Sequence, residues 1–163
     1  LYARLYKDLI NTFPFMKDIC VANFKSFKDI FDVINYVDAG EDYNLFCEYN
    51  KENEKRRALS SFFVICADLD IIDKTEMTKI IVDFIEGVKK DINKEGKLNN
   101  VEEMVQNISI MITAGKGFLK SLGQFTYVLE EIEKFSNMNH KEYPSLSSKI
   151  VFKFMDLSED LED

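Results

Sequence analysis

The sequence predicts an all-α fold, a HEAT-like antiparallel helical solenoid of about seven helices. Apolar residues recur at spacings of three and four along most of the 163 residues, and no segment alternates as a strand would. Only two prolines and six glycines interrupt the pattern, which favours long helices joined by short links. We predict a single domain over residues 1–163, because a chain of this length can bury a core of its own.

The stretch from residue 55 to 72 is predicted to be the central helix. It begins with three cations, Lys55, Arg56 and Arg57, and continues into an apolar stripe on one side of a helix, formed by Leu59, Phe62, Phe63, Cys66 and Leu69. Further apolar residues widen this stripe around most of the helix: Ala58, Val64, Ile65 and Ala67. We therefore expect Leu59, Phe62, Phe63 and Cys66 to be almost inaccessible to solvent. The polar residues 48–57 are expected to continue one long helix that begins near Glu41 and Asp42.

Two helices are predicted before it. Residues 1–13 form an amphipathic helix that ends before Pro14, since the residue before a proline is pushed out of the helical region. The second carries an apolar stripe over residues 24–34, with Asn23 as its N-cap and Gly40 beyond its end.

Four helices are predicted after it. Asp73 opens the fourth, and a capping box formed by Asn99 and Glu102 opens the fifth, which Gly115 and Gly117 are expected to interrupt. The sixth and seventh helices have apolar stripes within residues 119–135 and 146–161.

Side chains typical of catalysis or metal binding do not occur in any recognisable pattern. The single histidine, His140, lies in a polar link, and the three cysteines have no metal-binding spacing. The glycine-rich residues 115–123 lack the spacing of a phosphate-binding loop. Adjacent acids at Glu102–Glu103 and Glu130–Glu131 are expected to be solvated. We therefore predict a protein that is not an enzyme and has no catalytic residues, metal or cofactor.

The net charge of −8 disfavours broad contact with phosphates and favours a basic protein surface as partner. No apolar run approaches the length of a membrane span, so we expect no membrane association. We expect a monomer in a reducing compartment, the cytoplasm. The triplet at residues 55–57 has two interpretations, a solvated turn or an ion-pairing patch for a protein or RNA.

Five segments together resemble the middle domain of the eukaryotic translation initiation factor 4G family. They follow the family's order over nearly the whole chain: LYARLYKDL (1–9), NFKSFKDIF (23–31), KRRALSSFFVICADL (55–69), VEEMVQNISIMITAGKGFL (101–119) and SLSSKIVFKFMDLSEDL (145–161). The Asn-, Lys-, Ile- and Asp-rich composition is typical of versions from AT-rich genomes, such as those of large DNA viruses or protists. The resemblance also implies one or two helices before Leu1 that this sequence lacks, so the outer face of residues 1–13 is expected to be apolar and exposed.

The resemblance implies a non-catalytic scaffold in translation initiation that binds and stimulates a DEAD-box RNA helicase similar to initiation factor 4A. In the family, the two ends of the solenoid hold the two lobes of the helicase and favour a half-open state. Messenger RNA and other initiation factors are further expected partners. The expected location is the cytoplasm, or the host cytoplasm for a viral protein.

The resemblance also suggests which residues contact the partner. Asp68 and Leu69 align with the family's Leu-Phe contact pair in the turn after the central helix, with Asp70 beside them, so half of the pair matches. Lys149 and Lys153, on the closing helix, are candidates for the second lobe, and Lys55, Arg56 and Arg57 complete the predicted set. Two alternatives remain: a related scaffold for a DEAD-box protein in mRNA decay or splicing, and a direct RNA-binding helical-repeat module.

Overall fold

The computed structural model describes residues 1–162, and within them it contains seven α-helices, two short 3-10 helices and no β-strand. The prediction of an all-α fold is confirmed. The α-helices are α1 (Tyr2–Thr12), α2 (Phe15–Lys25), α3 (Tyr43–Asp68), α4 (Lys74–Asp91), α5 (Leu98–Leu119), α6 (Phe125–Ser136) and α7 (Ser148–Glu162), and the 3-10 helices are Phe27–Phe31 and His140–Glu142.

The helices stack in two layers that run in opposite directions. In the first layer, Arg57 of α3 contacts Glu103 of α5, and Ser60 of α3 contacts Asn107 of α5. The partners are 46 and 47 residues apart and advance together along the two helices, so α3 and α5 are parallel. Lys116 of α5 donates to the carbonyl of Asp160, 44 residues later on α7, so α7 is the next helix of this layer. In the second layer, Tyr127 of α6 contacts Glu86 of α4, 41 positions earlier. Offsets of this size are those of helix-pair repeats, and they identify a HEAT-like solenoid.

The most enclosed helix is α5, which packs against α3, α4 and α7. Its buried side chains lie on several sides of the helix, as expected for a helix between neighbours. The prediction that residues 55–72 are central is therefore wrong in part. Phe63 and Cys66 are buried, whereas Leu59 and Phe62 are only half-buried. They line an open recess between α3 and the α2 region, which leaves one side of α3 accessible.

The second predicted helix is wrong in its bounds. Pro14 has helical backbone angles and α2 begins at Phe15, because a proline costs no hydrogen bond at the start of a helix. α2 ends at Lys25, so Asn23 is not an N-cap. Its side-chain amide donates to the Ile19 carbonyl one turn earlier, at 2.9 Å. A 3-10 helix and an irregular segment over residues 32–42 follow.

Two predictions about α5 are also wrong. The helix begins at Leu98 and no side chain caps it, so Asn99 and Glu102 form no capping box. Glu102 instead accepts hydrogen bonds from Ser147 and Lys149 of the α7 region. Gly115 and Gly117 lie inside the helix rather than interrupting it.

The long α3 confirms the prediction of one continuous helix through the polar residues 48–57. Its N-cap is Asp42, whose carboxylate accepts from the backbone N–H of Leu45 at 3.0 Å. Asp73 caps α4 in the same way, accepting from the Glu76 N–H at 2.9 Å. The predicted helix starts, near Glu41 and Asp42 for α3 and at Asp73 for α4, are confirmed.

Candidate functional site

The turn after α3 has a fixed backbone geometry. The N–H of Ile71 donates to the Cys66 carbonyl at 2.9 Å, and the N–H of Asp70 donates to the Ala67 carbonyl at 3.0 Å. These two bonds define a Schellman motif, in which the residue with left-handed backbone angles is usually glycine. Here that residue is Asp70, with φ of 59°. We call residues 68–70 the acidic turn.

The acidic turn presents carboxylates to solvent beside several lysines. Asp70 forms an ion pair with Lys74 at 2.8 Å, and the hydrogen bond and charge of that ammonium lower the pKa of the Asp70 carboxyl. Lys7 of α1 donates to the Leu69 carbonyl at 3.1 Å. Asp68 is exposed, and Leu69 is half-buried against the core. The turn therefore offers one free carboxylate and one accessible apolar side chain in a defined geometry.

The three cations at residues 55–57 lie in three different environments. Arg56 is buried, and its guanidinium donates to the Ile30 carbonyl at 2.7 Å and to the Val33 carbonyl at 2.8 Å. Lys55 is exposed. Arg57 is partly exposed. Of the triplet, Arg56 holds the segment before α3 in place, and the other two reach the surface.

Arg57 belongs to a buried polar network between α3 and α5. It donates two hydrogen bonds to the carboxylate of Glu103, which is 5% exposed. Asn107 donates to the same carboxylate at 2.8 Å and accepts from Ser60 at 2.8 Å. The network satisfies each of these buried groups and fixes the register of α3 on α5.

Lys149 and Lys153 lie one turn apart on α7. Lys149 forms an ion pair with Glu102 at 2.7 Å. Since Arg57 pairs with the adjacent Glu103, α5 holds cations from α3 and α7 on successive residues. Cations are thus brought to the same end of the α3–α5–α7 layer, which we call the cationic edge: Lys55, Arg57, Lys149 and Lys153. The acidic turn begins at Asp68, 11 residues after Arg57, which is a distance of about 16 Å along the helix axis.

An open apolar recess accompanies each of these surfaces. A recess of about 430 Å³ beside Lys55 is lined by Tyr6, Leu59 and Phe62. A second, of about 500 Å³, lies between α2 and the start of α4, where Ile72 joins it to the acidic turn. The sequence indicated neither recess, because both form between segments far apart in the chain.

The prediction that the paired acids are solvated is wrong for one member of each pair. Glu103 is buried against Arg57, and Glu131, which is 3% exposed, forms ion pairs with Lys89 at 3.0 Å and Lys134 at 2.7 Å. Burial acts to raise the pKa of the Glu131 carboxyl, but the hydrogen bonds from both lysines outweigh it and the pKa is lowered. The sequence does not indicate that Glu103 and Glu131 are buried, since Arg57 and Lys89, two of the three cations that pair with them, lie on other helices.

Within residues 1–162, no group of histidine, cysteine and acidic side chains is arranged to hold a metal ion. None of the helices described is both long and apolar enough to cross a membrane. No protein-family model, no curated protein and no solved structure matches this chain.

Proposed function

We propose that the chain is a non-catalytic scaffold of translation initiation that binds a DEAD-box RNA helicase of the initiation factor 4A type and stimulates its ATPase cycle in the cytoplasm. The observation that carries the proposal is the ordered resemblance of five segments, spread over nearly the whole chain, to the middle domain of the initiation factor 4G family. A related scaffold for a DEAD-box protein in mRNA decay or splicing would use the same surfaces.

The fold is compatible with this proposal. A solenoid gives a partner two separated attachment points on one rigid body, and binding two lobes at once selects one of their relative orientations. The acidic turn and the cationic edge are such separated surfaces, each beside an apolar recess. We propose the acidic turn for one lobe of the helicase and the cationic edge for the other. Arg56 is buried, and its role in this proposal is to stabilise the scaffold rather than to contact the partner.

Variants at the two surfaces test the proposal. Binding of the matched helicase should weaken when Lys149 and Lys153 are both changed to Glu, and also when Asp68→Lys is combined with Leu69→Ala. The lysine changes should slow association most at low salt, because rim charges act mainly on the on-rate. A control with the same change in net charge replaces the exposed Lys90 and Lys120 by Glu. Circular dichroism verifies the fold of every variant.

The proposal fails if the wild-type protein captures no DEAD-box helicase from its native cytoplasm and does not bind the purified one. It also fails for these surfaces if the control weakens binding as much as the variants do.

Direct RNA binding is the second candidate, and the cationic edge is the observation that favours it. Two of its four cations, Arg57 and Lys149, are paired with carboxylates, which reduces the charge available to phosphates. RNA binding that persists without any helicase, and that weakens in the Lys149 and Lys153 variant, would support this candidate over the scaffold.

A further inference from the structure

Two free cysteines from different helices meet in the core, Cys20 of α2 and Cys66 of α3. The Cys66 thiol donates a hydrogen bond to the Cys20 sulfur. A second contact supports this pairing, because the rings of Phe24 and Phe63, one turn away on each helix, have centroids 5.4 Å apart. The two helices are therefore antiparallel at this point, with the sulfur atoms facing each other. We call Cys20 and Cys66 the thiol pair.

The two thiols differ in their access to solvent. Cys66 is fully buried, whereas Cys20 is 3% exposed and lines the open recess of about 430 Å³ between α3 and the α2 region. Tyr6 and Phe62 form part of the same wall. A small polar molecule that enters this recess therefore meets Cys20 before Cys66.

The two thiols also differ in acidity, and in the same sense. The hydrogen bond from Cys66 lowers the pKa of the Cys20 thiol, although burial acts to raise it. The same hydrogen bond, together with burial and the charge of Cys20, raises the pKa of the Cys66 thiol. Because the thiolate is the reactive form of cysteine, Cys20 is the better nucleophile of the pair and Cys66 keeps its proton.

We propose that the thiol pair is an oxidation site, at which hydrogen peroxide converts Cys20 and Cys66 into a disulfide that joins α2 to α3. The Cys20 thiolate attacks one oxygen of the peroxide, the O–O bond breaks, and Cys20 becomes a sulfenic acid. The hydroxide that leaves takes up the proton that Cys20 had released and becomes water.

The second step closes the disulfide. The sulfur of Cys66 attacks the sulfur of Cys20, the S–O bond breaks, and the departing hydroxide leaves as water with the proton of Cys66. Over both steps the two thiols lose two electrons and two protons, and one hydrogen peroxide is reduced to two molecules of water. Thiol reductants reverse the oxidation, so in a reducing compartment the bond is transient.

The site lies where the bond affects the end of α3. The Cys66 carbonyl accepts the hydrogen bond from the Ile71 N–H that closes the acidic turn. A disulfide at Cys66 therefore fastens α2 to the last turn of α3, from which the acidic turn begins. The oxidation chemistry itself does not depend on the proposed helicase binding.

Peptide mapping of the purified protein tests the proposal. The reduced protein is treated with hydrogen peroxide, its remaining thiols are alkylated, and it is digested with trypsin without reductant. We expect residues 18–25 and 58–74 to appear as one linked species, lighter by two hydrogen atoms than the sum of the two peptides. Dithiothreitol should separate them.

Cys47 provides the matched control. It is a free, partly exposed cysteine on α3, 19 residues before Cys66 and so about 28 Å away along the helix axis. Its peptide, residues 29–51, should be recovered alkylated and unlinked, and Cys47→Ser should leave the yield of the linked species unchanged.

Two variants test the order of the steps. In Cys66→Ala, the sulfenic acid at Cys20 has no partner and should be trapped by dimedone, whereas Cys20→Ala should show no trapping at Cys66. Circular dichroism verifies the fold of both. The melting temperature of the oxidised wild-type protein should rise by at least about 4 °C, because the bond closes the segment 20–66.

A folded wild-type protein whose peptides 18–25 and 58–74 remain unlinked after peroxide treatment overturns the proposal, and this result needs no variant. Linked species that all contain Cys47 overturn it as well. Trapping at Cys66 as fast as at Cys20 contradicts the assigned order, and an unchanged melting temperature contradicts the fastening of α2 to α3.

Discussion

Arg56 shows how one buried side chain organises an irregular segment. Residues 32–42 have no helix of their own, yet Ile34 is buried. The guanidinium of Arg56 satisfies two carbonyls at the start of this segment, and Asn53 accepts a third hydrogen bond from it at 2.7 Å. A planar group with five donors suits this role, because it can reach several acceptors from one position.

Replacing Arg56 by Met should lower the free energy of unfolding by at least about 2 kcal/mol, because hydrogen bonds from a charged donor are lost and two carbonyls are left without a partner. Lys55→Met, at the exposed neighbour, should change it by less than about 0.5 kcal/mol. Urea unfolding measures both variants. Equal effects would show that the guanidinium does not hold the segment.

Asp70 occupies a backbone position that favours glycine. Its left-handed φ follows from the Schellman motif, and the residue tolerates it better than a branched side chain would. The ion pair with Lys74 is exposed and contributes little to stability.

Asp70→Gly should therefore raise the melting temperature, because glycine adopts this conformation without steric cost. Asp68→Gly should lower the melting temperature, since Asp68 is still helical. Thermal unfolding followed by circular dichroism compares the two. A lower melting temperature for Asp70→Gly would mean that the aspartate side chain stabilises the turn.

Close packing of α3 on α5 depends on a glycine inside a helix. A Cβ atom added to Gly115 would lie 2.7 Å from the Cγ2 atom of Val64, which is shorter than any normal contact. A Cβ atom added to Gly117 would meet nothing within 4 Å. The two glycines look alike in the sequence, but only Gly115 lies where two helices meet.

Gly115→Ala should destabilise the protein by about 1–3 kcal/mol through overpacking. Gly117→Ala should stabilise it by about 0.5–1 kcal/mol, because alanine favours the helix. Adding Val64→Ala to Gly115→Ala should recover part of the loss, and a double-mutant cycle measures that coupling. Additive effects of the two changes would contradict a direct contact.

The α4–α6 contact contains a buried carboxylate whose charge affects stability. Glu131 pairs with Lys89 and Lys134, and Lys89 also pairs with Glu86, which accepts a hydrogen bond from Tyr127. Because the pKa of folded Glu131 lies below the ordinary glutamate value of about 4.5, its contribution is present above that pH and is lost as the pH falls through the lowered pKa.

Glu131→Gln should therefore lower the free energy of unfolding at neutral pH and reduce its decrease on acidification below about pH 4.5. Glu130→Gln, at the exposed neighbour, should leave both nearly unchanged. Urea unfolding at a series of pH values gives the comparison. Parallel pH profiles for Glu131→Gln and the wild type would exclude Glu131 as a source of the acid sensitivity.

At the scale of the whole molecule, local patterns predicted more of the fold than of the site. Apolar spacing and the acidic residues before it correctly placed the starts of α3, near Asp42, and of α4, at Asp73, because these signals act within one turn. The start of α2 was missed because Pro14 can either end a helix or begin one. The pairing of Arg57 with Glu103 could not be predicted, since its members are 46 residues apart and meet only when the layers stack. The recesses beside the two candidate surfaces could not be predicted for the same reason, since each forms between segments that are far apart in the chain.

The two candidate surfaces act together only if the solenoid holds them at a fixed separation. The Ser60–Asn107–Glu103–Arg57 network and the close approach at Gly115 fix α3 on α5, and Glu102 fixes the start of α7 on α5. In the proposed function, this rigidity allows one chain to bias the orientation of two helicase lobes.

The measurement that tests the proposed function most directly is the RNA-dependent ATPase rate of the matched DEAD-box helicase, titrated with this protein. We expect no nucleotide hydrolysis by the protein alone, and a rate that rises to a plateau as the helicase becomes saturated. The plateau should need higher concentrations of the variant that carries Glu in place of Lys149 and Lys153. A helicase rate that stays unchanged at concentrations where binding is complete would contradict the proposal that this chain is a stimulating scaffold.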